Sequence, residues 1–316
     1  MQESRDRAGC LNRFTKLVIV LLIVGGIAFC LLLAAIVSAV GRYRASEEVG
    51  PHLVLLRIEG PIYDAAPTLA ILDRVRRDDA CKGVLLRVDS PGGAVGSSQE
   101  IYAALKALRD GGKPLAVSFG NVAASGGYYV SLAGEKIFSN PGTLTGSIGV
   151  IVQFPEVEKL LEKVGVSLQT VKSGALKDVG NPARKASPDE LAYLQRVIDD
   201  THDQFVGDVA AARHLSPDSV RRLADGRVYT GRQALAVGLV DTLGGLDAAK
   251  AWLAARAKLG DDAEWITEPR PRNRLEEFLD PEAQDGVGGA SGLGGIAGWV
   301  SGLRNRLTPG TFFMWP

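Results

Sequence analysis

Three short apolar runs set the pattern of the chain: 53–58 (LVLLRI), 83–89 (GVLLRVD) and 114–119 (PLAVSF). Each is continuous rather than alternating, which suits a strand covered on both faces. A stretch with helical spacing follows each run, at 68–77, near 97–110 and near 125–133. KIFS (136–139), SIGVI (147–151) and VSLQTV (166–171) complete the expected strands. Strands alternating with helices predict an α/β fold with largely parallel pairing, and functional loops at the carboxyl ends of the strands. From 188 the character turns helical. Helices are expected over 188–213, from Ser216-Pro217-Asp218, over 231–238 and over 246–258, with Ser187 before Pro188 as a cap-like start.

Residues 17–40 contain no charge. A helix over them would be ~36 Å long, enough to cross a ~30 Å hydrocarbon core with some tilt. Val37-Ser38-Ala39 offers a small-residue cleavage site, but the run exceeds the roughly 7–15 residues of a signal-peptide core. An uncleaved anchor is therefore expected. Arg5, Arg7, Arg13 and Lys16 precede it, while Arg42, Arg44, Glu47 and Glu48 follow. That bias places the N-terminus in the cytoplasm and the bulk of the chain outside the cytoplasmic membrane, as a single-pass protein. The organisation expected is a cytoplasmic N-terminus (1–16), a transmembrane helix (17–40), a linker (41–52), one folded domain (53–280) and a flexible Gly-rich tail (281–316) ending in TFFMWP.

Lysine plus arginine equals aspartate plus glutamate at 36 each, so no basic excess is left to neutralise a nucleic-acid backbone. Cys10, Cys30 and Cys81 form no CxxC pair, and His52, His202 and His214 form no HExxH. Neither a metal site nor a cofactor site is indicated.

Two strand ends stand out: Asp89-Ser90-Pro91-Gly92-Gly93 and Asn121-Val122-Ala123-Ala124-Ser125-Gly126-Gly127-Tyr128-Tyr129. Glycine pairs after strands permit close backbone approach and leave N–H groups free to face a ligand. A serine between a strand and a helix is either a nucleophile or only a helix cap. If Ser125 is a nucleophile, Gly92 or Gly93 is placed to donate to an oxyanion. A GxSxG elbow is absent because position 123 is Ala. The histidines are poorly placed as a base, and a lysine can serve where burial disfavours its ammonium form. The stretch 171–178 (VKSGALKD) offers Lys172 and Lys177, each otherwise an ordinary surface charge.

Together DSPGG, NVAASGGYY, TLTGSIGV (143–150), VKSGALKD and DGRVYTGRQALAVGLVDTLGG (225–245) resemble the signal peptide peptidase SppA family in its short form, over about 53–258. The resemblance implies a ClpP/crotonase-like fold of repeated ββα units with a helical C-terminal half. It implies a serine endopeptidase with a Ser/Lys dyad and no cofactor or metal. Ser125 would be the nucleophile and Lys177 the base, with Lys172 as alternate. Gly92, and after it Gly93, would donate to the oxyanion, and Ser147 would orient the lysine. It further implies a homo-oligomer, octameric in the short form, with sites shared between subunits, acting at the membrane on signal-peptide remnants and other apolar peptides. Two alternatives stand beside it: a crotonase-like enzyme acting on acyl-CoA, and a membrane-anchored scaffold that has lost catalysis.

Overall fold

The computed structural model describes residues 50–260 and 262–267, with residues 26 and 29 besides. The segments expected as the cytoplasmic N-terminus, the membrane helix, most of the linker and the Gly-rich tail lie outside the described residues. Among the described residues no helix is long and apolar enough to cross a membrane.

The elements run β1 (His52–Glu59), α1 (Ala66–Arg77), β2 (Cys81–Ser90), α2 (Val95–Asp110), β3 (Leu115–Ala124), α3 (Gly126–Ser131), β4 (Lys136–Ser139), β5 (Leu144–Gly146), α4 (Glu158–Lys163), α5 (Pro188–Arg213), α6 (Pro217–Leu223), β6 (Val228–Thr230), α7 (Gly231–Ala236), β7 (Thr242–Leu243), α8 (Leu246–Arg256) and β8 (Glu264–Thr267). The strands form one sheet in the order β6-β5-β3-β2-β1-β8, with β4 beside β3 and β7 beside β4. Every pairing is parallel except that of β5 with β6.

The continuous apolar runs are explained by cover on both faces of the sheet. Val54, Leu56 and Ile58 of β1 join a core with Leu86, Val88, Leu105, Tyr128 and Phe205. Leu53 and Leu55 point the other way, into a smaller core with Leu85, Phe138, Ala249 and Leu253, where α8 covers the sheet. All of these are buried. Helix α5 starts on a capping box: Ser187 Oγ accepts from the Glu190 amide, the Glu190 carboxylate accepts from the Ser187 amide, and Pro188 follows at the first turn.

Strand β3 forks. Its first half, Ala116–Ser118, pairs with β4. Its second half, Val122–Ala124, pairs with β5. Between the halves the register against β2 slips: Val88 faces Phe119, but Ser90 faces Ala123. Four steps along β3 thus match two along β2, and the excursion at 120–122 redirects the strand end.

Two expected strands are corrected. SIGVI (147–151) is not a strand. The strand is Leu144–Gly146, and it stops because Gly146 and Ser147 take φ values of +81° and +50°. VSLQTV (166–171) is irregular: a strand needs a ladder partner, none is present among the described residues, and Val171 is wholly exposed. The C-terminal half is also less purely helical than expected. It returns β6, β7 and β8 to the sheet, strands of two to four residues that are too short to show a period in the sequence.

Candidate active site

The site is assembled at the carboxyl ends of β2, β3 and β5. Asp89, near the end of β2, holds the β3 excursion in place. Its Oδ2 accepts from Asn121 Nδ2 at 3.0 Å and its Oδ1 from the Val122 amide at 3.1 Å. Thr143 Oγ1 donates to Gly120 O and Thr145 Oγ1 to Ala123 O, both at 2.6 Å. The carbonyls freed by the excursion are thereby paired. The Ser125 amide then donates to Gly146 O at 2.8 Å, extending the β3–β5 ladder by one bond.

At Ser125 the backbone turns sharply, with φ +54° and ψ −120°, and enters α3. A side chain in that region costs on the order of 1–3 kcal/mol and persists where surroundings enforce it. The Ser125 side chain makes no cap bond to α3, which removes the helix-cap reading. Ser125 is fully buried, and its Oγ has no hydrogen-bond partner. A buried hydroxyl left unpaired on a strained backbone is a destabilising combination, of a kind that clusters where chemistry is done. The shape is that of a nucleophile elbow, a strand-to-helix turn presenting one serine, although the GxSxG signature is absent.

Helix α3 is anchored on all sides. Tyr128 OH donates to Leu239 O at 2.8 Å, and burial pushes its phenol well above the usual range. Tyr129 OH donates to Asp208 Oδ2 of α5, and its ring packs edge-on against Tyr102 and Phe205. Gly127 lies against Ser90, where an added Cβ would come within 2.6 Å of Ser90 O.

The glycine pair sits over the nucleophile. A Cβ on Gly92 would come within 2.8 Å of Ser125 Cβ and 3.0 Å of its Oγ. The Gly92 amide is engaged, donating to Ser90 Oγ at 3.2 Å. Gly92 O and the Ala94 amide both bond Ile62. By the alternation of an extended segment, the Gly93 amide between them faces the opposite side. On that side an added Cβ on Gly126 would come within 3.2 Å of Gly93 N. Among the described residues the Gly93 and Gly126 amides, both beside Ser125, show no acceptor, Gly126 because it opens α3.

Ser147 follows the Gly146 carbonyl that binds Ser125. It shares the strained backbone, with φ +50°, and its amide donates to Arg227 O at 2.9 Å. Ser125, Gly92, Gly93 and Ser147 are therefore brought together. The lysines are not. Lys172 Nζ donates to Ala175 O at 2.8 Å and pairs with Asp178 Oδ1. Lys177 is exposed, and among the described residues its amine shows no ion pair or hydrogen bond. Neither amine reaches Ser125 within one chain, since Ser125 Oγ is unpartnered. The sequence reading did not single out Asp89, Thr143 and Thr145 as positioning groups. They lie inside the motifs it quoted, and the signal was a hydroxyl or carboxylate beside each glycine-rich strand end.

A family model described as Peptidase family S49 matches residues 107–260. A protein of Synechocystis sp. named as a protease is 49% identical over 204 residues, 64% of this chain and 73% of that protein. A protein of Enterococcus faecium named as signal peptide peptidase SppA is 43% identical over 199 residues, 63% of this chain and 58% of that protein. Protease 4 of Salmonella typhi is 42% identical over 184 residues, 58% of this chain and 30% of that protein.

Proposed function

Since the chain belongs to peptidase family S49, the SppA family of serine peptidases, we propose that it hydrolyses apolar peptides at a membrane surface with Ser125 as nucleophile and Lys177 as base. The observation that carries this reading is the strained, buried, unpartnered hydroxyl of Ser125. Of the two lysines, Lys172 Nζ is already taken up by Asp178 Oδ1 and Ala175 O, whereas a base must have its amine free to meet Ser125. Lys177 has no such partner, and this supports it as the base.

In the proposed cycle neutral Lys177 takes the Ser125 proton as Oγ attacks the peptide carbonyl. The amides of Gly93 and Gly126 hold the oxyanion. Gly92 serves as the support beneath them, because its own amide already has an acceptor in Ser90. The lysine gives its proton to the leaving amine and then activates the water that releases the acyl-enzyme. Ser147, next to the carbonyl that binds Ser125, orients the lysine amine.

An exposed lysine is not yet a dry one. The surroundings that would favour its neutral form must come from outside the single chain, as in the shared sites of a ClpP/crotonase-like homo-oligomer. Exposed Leu168, Val171 and Leu176 around it support cover by a neighbouring subunit. The uncharged 17–40 run supports a membrane anchor that keeps the domain outside the cytoplasmic membrane. A tethered enzyme meets signal-peptide remnants, whose cores partition into the bilayer, at high effective concentration. Membership of a peptidase family sets aside the acyl-CoA reading.

The test is labelling of the full-length protein with a serine-directed acylating probe, followed by mapping of the modified residue. Modification of Ser125, with loss of labelling in K177A and its retention in K172A, is expected. Modification at another serine would overturn the assignment.

A further inference from the structure

Between the end of α4 at Lys163 and the start of α5 at Pro188 the chain has no helix or strand, yet the candidate base lies there. One side chain ties this stretch to the rigid part of the fold. Arg184 Nε donates to Asp178 Oδ2 at 3.0 Å, and Nη2 donates to the Asp178 carbonyl at 3.3 Å. On its other side Arg184 Nη1 donates to Glu190 Oε2 at 2.8 Å, and Nη2 to Glu190 Oε1. Glu190 is buried at the first turn of α5 and accepts from the Ser187 amide at 2.8 Å. The guanidinium thus forks between the residue next to Lys177 and the capping box of a 26-residue helix. Lys172 closes the same cluster from the other end through Asp178.

We propose that Arg184 is the positioning residue of the catalytic lysine, clamping Asp178 to the start of α5 so that the Lys177 amine is held at one place and height. The proposal rests on the reading of Lys177 as base. It also gives the second lysine a role: Lys172 is an anchor of the clamp, which explains why one stretch carries two. The Arg184 and Lys172 cations together hold the Asp178 carboxyl well below the usual carboxylate range, so the clamp stays ionised throughout the working range of a lysine base. Besides Lys177, the charged groups on this stretch and the facing helix start are Lys172, Asp178, Arg184, Lys185, Asp189 and Glu190.

The charges of the clamp give a readout that simple loss of folding would not move. Removing Arg184 leaves uncompensated negative charge beside Lys177. Removing the Asp178 carboxylate leaves uncompensated positive charge. The two changes should shift the rising limb of the pH profile in opposite directions.

The experiment compares full-length, assembled wild-type protein with R184Q, D178N, R184K and K177A on one apolar peptide. R184Q is expected to lower kcat about tenfold or more with KM nearly unchanged, since Arg184 does not meet substrate. Its rising limb should move up by about half a pH unit, and that of D178N should move down by a similar amount. R184K keeps the charge but not the fork, so it should keep the wild-type limb and recover kcat only in part. If R184Q fails to assemble, D178N and R184K carry the comparison. Wild-type kcat and limb in R184Q and D178N, with K177A inactive, would overturn the clamp alone. So would limbs that move in the same direction. Wild-type turnover by K177A would overturn the underlying reading and the proposal with it.

Discussion

Around Ser125 the chain finishes its own work. The excursion in β3 is held by Asp89, Thr143 and Thr145, and α3 is pinned by Tyr128 and Tyr129. Glycine stands wherever a Cβ would strike backbone. Around Lys177 the opposite holds. Residues 164–177 are irregular and mostly exposed, and Leu168 and Val171 are 66% and 100% exposed. One half of the candidate dyad is fixed by the core of a single chain, while the other lies on an exposed, irregular surface segment. The difference teaches that nucleophile strain can be stored locally, because dense packing enforces it. The exposed segment around Lys177 has no such packing of its own.

The sharpest way to break this comparison is S125A. Peptide hydrolysis should fall by at least about 10³-fold. Thermal stability should hold or rise by about 1 kcal/mol, because the change removes a buried unpaired hydroxyl. Activity lost together with stability would mean that Ser125 is structural.

Two glycine substitutions contrast the regions directly. A Cβ on Gly93 would lie 2.1 Å from Ile62 O, so G93A should destabilise by about 3 kcal/mol or more in denaturant unfolding. Gly174, between the lysines, has nothing within 4 Å. G174A should be neutral or stabilise by about 0.5 kcal/mol. A large cost at Gly174 would show that the arm is already packed.

A smaller effect is expected from Y128F. It leaves Leu239 O without its buried donor and should cost about 1–2 kcal/mol in unfolding.

The arm has its own pH signature. Arg184, with help from the Ser187 amide, pulls the Glu190 carboxyl down from 4.5 to about 2. A carboxyl depressed by folding stabilises the native state above its unfolded value and loses that contribution as protons bind. Proteolysis of the 164–187 stretch should therefore accelerate as pH falls from about 4.5 towards 2. In E190Q the share of that dependence due to Glu190 should be lost, leaving the share carried by Asp178. The same acceleration in E190Q would assign it to another group.

Much of the architecture is legible in the residues. The runs 53–58 and 83–89 fall within β1 and β2, the run 114–119 covers the start of β3 from one residue before it, and KIFS is β4. The 188–213 helix has the bounds that its Ser-Pro start and periodicity set. The strand runs are buried on both faces and the helix on one, so burial writes a continuous apolar run into the strands and a period into the helix. VSLQTV misleads for the converse reason: its apolar residues are exposed, so its apolar pattern reports no burial. SIGVI misleads because two residues of left-handed backbone, Gly146 and Ser147, end the strand before its apolar residues begin. Of the candidate site, Ser125, Gly92 and Gly93 stood out because they follow strand ends, while Ser147 came only with the family resemblance. The engaged amide of Gly92, the orphaned hydroxyl of Ser125 and the pairing of Lys172 were not.

Apolar runs, helical spacing and glycine placement by themselves determined the α/β class and the glycine-rich turns at the strand ends, while the choice of Ser125 came with the family resemblance. Those properties follow from which residues must be buried and which turns need glycine, and both are local. Only the tertiary structure decided the backbone strain at Ser125, which amides remain free beside it, and which lysine is already bound. Those depend on groups distant in sequence, such as Asp89 with Asn121 or Asp178 with Arg184, whose geometry exists only once the chain is packed.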